Sequence, residues 1–118
     1  MSNAIPDTVI IFTTQMQELA AFYQQGLALA ESVTAGDKHI GFALGNLYLG
    51  FDQVDEPVST AGSNITLWFR VDDIDATFQH LVGLGAAVRY APTEKYFGDK
   101  VAAVYDLDGN MIGLSQRK

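Results

Sequence analysis

From Asn64 to Gly85 the hydrophobic pattern changes period once. Leu67, Phe69 and Val71 alternate with Thr66, Trp68 and Arg70, as in a half-buried strand. Ile74, Phe78, Leu81 and Gly85 then recur at helical spacing. Asp72 and Asp75 favour the start of that helix, and Gly83 and Gly85 mark its end. A strand thus hands over to a helix that lies back across the strand's apolar face. The same unit stands earlier in a weaker copy: Thr8, Val9, Ile11 and Thr13 match Thr66, Leu67, Phe69 and Val71 at constant spacing. Thr14 to Gln17 reads as a capping box before Leu19, Phe22, Tyr23 and Leu27, with Gly26 placed to stop the helix. The chain is two copies of one module.

The rest of each copy is strand. Ala28–Thr34 reads as extended and is closed by the turn Ala35-Gly36-Asp37. Lys38–Leu44 and Leu47–Gln53 flank Gly45-Asn46, a two-residue hairpin signal. In that hairpin Ile40, Phe42 and Leu44 fall opposite Leu47, Leu49 and Phe51, the side that receives the helix. The other side, His39, Gly41, Ala43, Tyr48, Gly50 and Asp52, is too small and polar for a core and suits a cavity or interface. Val54–Ser63 has linker composition. In the second copy Ala87–Ala91 reads as a short strand and Pro92–Asp99 as a loop. Lys100–Tyr105 and Met111–Gln116 form a last hairpin around Asp106-Leu-Asp-Gly-Asn110. The expected architecture is α+β, two tandem βαβββ modules. Residues 1–118 make one domain, with module one at about 7–54, a linker at 55–63 and module two at about 64–116.

Composition narrows the function. Apolar residues make up 48% of the 118 positions, enough for a packed core. There is no Cys, which excludes disulfides, thiol catalysis and thiolate zinc sites. No apolar run is long enough to span a membrane and no signal core opens the chain, so a cytoplasmic location is expected. The net charge of −7 argues against nucleic acid as a partner.

The order of elements, the Phe22-Tyr23 pair, the Val71-Asp72-Asp73 handover and the Asp106–Asn110 turn resemble the glyoxalase/bleomycin resistance/dioxygenase superfamily, the vicinal oxygen chelate fold. The resemblance covers nearly the whole chain. It implies curved mixed sheets enclosing a cup with helices outside, and a homodimer, sometimes with a cup shared between chains. Enzymes of that family carry His at the start of each module's first strand and Glu near the end of its last. The matching positions here are Thr8, Gly50, Thr66 and Gly113, none a usable ligand. Neither a metal nor another cofactor is therefore expected.

By alternation the cup face receives Phe12, Tyr48, Asp52, Trp68, Arg70 and Met111, with His39 at its rim or on it. His80 reads as surface. Aromatic walls with a few polar groups suit a small molecule, and Tyr96 and Phe97 resemble a loop that closes over the site in drug-binding relatives. The alternative for Trp68 and Phe12 is a dimer interface, and that for Asp52 and Arg70 is pairing with each other. The expected function is metal-free binding of an aromatic or amphipathic ligand. The alternatives are a metal-independent lyase, isomerase or dioxygenase-like enzyme, with His39, Asp52, Tyr48 and Tyr96 as acid–base candidates, or a degenerate interaction module.

Overall fold

The computed structural model describes residues 6–57, 66–95 and 98–118. The chain divides into two units, Met1–Ser59 and Thr60–Lys118. The first carries β1 (Thr8–Thr13), α1 (Met16–Leu27), β2 (Val33–Thr34), β3 (His39–Leu44) and β4 (Leu47–Gln53). The second carries β5 (Leu67–Arg70), α2 (Ile74–Gly83), β6 (Ala87–Glu94), β7 (Lys100–Tyr105) and β8 (Met111–Gln116). Each unit forms one four-stranded mixed sheet, in the orders β1-β4-β3-β2 and β5-β8-β7-β6. The first strand of each runs parallel to the last, and the remaining pairs are antiparallel. The fold is α+β, and the duplication legible in the hydrophobic pattern is a duplication of topology.

The apolar faces fall where alternation places them. Ile40, Phe42 and Leu44 pair with Phe51, Leu49 and Leu47. Phe42, Leu49 and Phe51 are buried together with Leu19, Ala20, Phe22 and Tyr23 of α1. Tyr23 sits against Phe51, ring centroids 5.0 Å apart, and Phe42 meets Phe51 edge-on at 6.1 Å. In the second unit Leu67 and Phe69 lie in register with Ile112 and Leu114. These two are fully buried, as are Ile74 and Leu81 of α2.

The helix ends correct the sequence reading. α1 is not held by a capping box at Thr14: its N-cap, Gln15, makes no side-chain cap bond. Instead Gln53, at the end of β4, accepts from the Met16 amide at 3.0 Å. Gln116, at the end of β8, does the same for Ile74 at 2.7 Å. Each module's last strand thus caps its own helix, a long-range device that local spacing does not reveal. Asp73, not Asp72 or Asp75, is the N-cap of α2, accepting from Ala76 at 3.1 Å. α1 runs through Gly26 and ends at Ala28, a non-glycine residue in the left-handed region (φ 54°). β2 shrinks to Val33–Thr34, and β6 extends through Pro92 to Glu94. Pro92 is tolerated because β6 is an edge strand, with a register irregularity between Tyr90 and Thr93.

Candidate functional site

The helix-free face of the first sheet carries a hydrogen-bonded chain of three side chains. His39 and Asp52 are direct cross-strand partners, with His39 Nδ1 2.5 Å from Asp52 Oδ1. Tyr48, also on β4, brings its hydroxyl to 2.6 Å from His39 Nε2, and the two rings lie nearly parallel, 10° apart. Glycine makes this possible. Gly41 and Gly50 face each other across β3 and β4. A Cβ at Gly41 would collide with the Tyr48 phenol, and one at Gly50 would come within 2.8 Å of His39 Cε1 and 2.7 Å of Ile10 Cδ1. The bare Gly41–Gly50 floor lets both rings lie down and meet.

The protonation pattern follows from the donor inventory. A carboxylate only accepts, so the proton between Asp52 and His39 belongs to Nδ1. In the neutral imidazole, Nε2 is then the acceptor for the Tyr48 hydroxyl. Among the described residues nothing donates to the Tyr48 oxygen, whose remaining lone pair can take a further donor. Phe12 lies in register with Asp52 on β1 and Val33 with Gly41 on β2, and both are more than half exposed. The polar chain is therefore flanked by apolar surface on either side.

On the second sheet, Trp68 pairs with Gly113. The indole lies directly over that glycine, where a Cβ would overlap its ring, yet 48% of Trp68 remains exposed. Arg70 is exposed on the same face, beside Ser115. Met111 accepts from the Thr66 hydroxyl, with Oγ1 3.4 Å from its sulfur.

A family model described as the Glyoxalase/Bleomycin resistance protein/Dioxygenase superfamily matches residues 5–114. The chain belongs to this superfamily. Similar solved structures include a glyoxalase/bleomycin resistance protein/dioxygenase family enzyme from Burkholderia phytofirmans, with a TM-score of 0.82, 23% identity, and 95% of this chain and 98% of that one covered. A glyoxalase-related enzyme from Fulvimarina pelagi also aligns at 0.82, with 16% identity over 98% and 89%. At these identities the likeness concerns the fold. An uncharacterised protein of Mycobacterium bovis is 35% identical over 60 residues, which is 51% of this chain and 40% of that protein. The matched stretch thus spans less than half of that relative's length.

The resemblance to the superfamily points to four positions of this chain for the ligands of a divalent ion. Thr8, Gly50, Thr66 and Gly113 offer no imidazole and no carboxylate. The space above Gly50 is taken by Ile10 and His39, and that above Gly113 by the indole. Among the described residues no three His, Asp or Glu side chains cluster as a metal site.

Of the predicted site residues, the structure brings together His39, Tyr48 and Asp52, with Phe12 alongside. Trp68, Arg70 and Met111 share a face of the second sheet. Asp52 takes His39 as its partner. His80 is exposed on α2, as expected. Tyr96 and Phe97 lie outside the described residues. Arg89 and Tyr105 were missed. The Arg89 guanidinium donates to the Tyr105 hydroxyl at 3.1 Å, and this bond holds Arg89 above its ordinary range. Alternation along β7 would have placed Tyr105 opposite Met111 on the Trp68 side. Arg89 enters through the irregular register of β6, which the sequence does not signal.

Proposed function

We propose that this protein binds an aromatic or amphipathic small molecule on the helix-free faces of its sheets, without a metal ion. The observation that carries the reading is the pair Phe12 and Trp68. Both are large aromatics about half exposed, and both stand beside polar groups, Phe12 by Asp52 and Trp68 by Arg70. Large apolar side chains left in water beside oriented polar groups mark recognition surfaces. On the first sheet His39, Tyr48 and Asp52 offer polar contacts, on the second Arg70 and Met111 offer polar and polarisable ones, and Tyr96 and Phe97 are further candidates from the sequence. The metal-free part rests on Thr8, Gly50, Thr66 and Gly113 offering no imidazole or carboxylate.

A second reading, metal-independent acid–base catalysis, is favoured by the Asp52–His39–Tyr48 chain, which has the form of a proton relay. The test of the first is a thermal-shift screen of cationic, anionic and neutral aromatic compounds, followed by titration of Trp68 fluorescence with the hits. Compounds that stabilise the protein and perturb the indole are the expected result. Hits that bind equally well to Trp68→Ala would remove Trp68 from the site.

A further inference from the structure

We propose that the Tyr48 hydroxyl is the outer end of a proton relay to His39, whose imidazole Asp52 orients, and that it takes the proton of a neutral phenolic ligand. The inference rests on the binding reading above and specifies its ligand on the first sheet.

The geometry supplies the polarity. Asp52 fixes the Nδ1–H tautomer, so Nε2 draws the phenolic proton of Tyr48 inward across 2.6 Å. The Tyr48 oxygen thereby faces outward as an acceptor, and the group that satisfies it carries an X–H bond. When X–H transfers its proton, the X–H bond breaks and a new O–H bond forms on Tyr48. The original Tyr48 proton moves to Nε2, leaving X⁻ and an imidazolium. The Tyr48 hydroxyl now receives a hydrogen bond from Nε2–H and donates its own proton to X⁻. Proton uptake thus turns the same oxygen from acceptor into donor, and the ionised ligand stays bonded.

The surroundings select the ligand class. Among the described residues, the ionisable groups bonded to the imidazole are Asp52 and Tyr48, both on β4. β1 and β2 contribute Ile10, Phe12 and Val33 to this face, none of which ionises. A ligand that arrives already anionic meets the Asp52 charge with no imidazolium to offset it, whereas a neutral acid creates its own counter-charge on His39. The exposed apolar surfaces of Phe12 and Val33 flank the relay and suit an aromatic ring. A phenol satisfies all three requirements.

Two measurements test this. The first is the nitrogen NMR of the His39 ring in the free protein. It should show the Nδ1–H tautomer, with the Nε2 signal moving in Tyr48→Phe. An Nε2–H tautomer overturns the relay. The second is titration with 4-nitrophenol, buffered where the free phenol is mostly neutral, with 4-nitroanisole as a control that has no proton to give. Binding is followed by equilibrium dialysis and ionisation by phenolate absorbance. The wild type should ionise the bound phenol. Tyr48→Phe and His39→Gln should reduce the ionised fraction of the phenol that is bound by about ten- to a hundredfold, the worth of a hydrogen bond to a charged group. Equal binding of both probes without ionisation overturns the relay and leaves aromatic binding intact. If neither probe binds at millimolar concentration, the phenolic assignment and the aromatic reading of this face both fail.

Discussion

Replacing Gly113 by Ala tests the packing of the Trp68 indole on this glycine. Gly113 does not occupy the left-handed region, so its backbone accepts Ala without strain. The new methyl would overlap the indole, which must leave. About half of Trp68 is covered at present. Aromatic side chains bury roughly 150–250 Å² when fully enclosed, so expulsion would uncover roughly 75–125 Å², about 2–3 kcal/mol at about 25 cal/mol per Å². That is an upper bound, because the unfolded chain already covers part of this surface. The added methyl and the stiffer unfolded chain return about 0.5–1 kcal/mol. A net loss of about 1–2 kcal/mol is expected from urea denaturation, with the indole emission shifted to the red. In a Trp68→Ala background the overlapping ring is gone, and the same substitution should be neutral or stabilising. The two changes should therefore couple by about 1–3 kcal/mol in a double-mutant cycle. Equal effects of Gly113→Ala in both backgrounds would refute the packing of the indole on this glycine.

Gln53→Ala and Gln116→Ala should each destabilise by about 1 kcal/mol, since each leaves a helix-initial amide without its acceptor; chemical denaturation reads both, and a neutral result would deny the strand-to-helix cap. Gly83→Ala, in the last turn of α2 with nothing near its added methyl, should instead stabilise by about 0.5–1 kcal/mol in the same assay. Each sheet ends in its own unit at β1 or β5, and such edges invite cover, so we predict a homodimer by light scattering at micromolar concentration; monomer alone would contradict it.

The parts of the fold that alternation governs were legible residue by residue. The β3–β4 register, the burial of Ile74, Phe78 and Leu81, and the repeated strand–helix unit all follow from periods that a chain cannot hide. What escaped was long-range or irregular. The Gln53 and Gln116 caps join residues far apart in sequence, Pro92 reads as a breaker until β6 is known to be an edge, and Ala28 adopts a conformation that sequence assigns to glycine. The relay was half legible. Parity placed His39, Tyr48 and Asp52 on one face, but their meeting depends on two glycines lying opposite each other. Gly50 reads in the sequence as a missing ligand, whereas in the structure it is the floor on which His39 rests.

Ligand binding without a metal ion is decided by one titration. The protein is dialysed against chelator, and its Trp68 fluorescence is titrated with the aromatic hits of the screen, first alone and then with zinc, nickel, manganese or iron added. Saturable binding in the metal-free protein is expected, with the same affinity when each ion is present. Binding that appears only once a divalent ion is restored, with stoichiometric uptake of that ion, would contradict it.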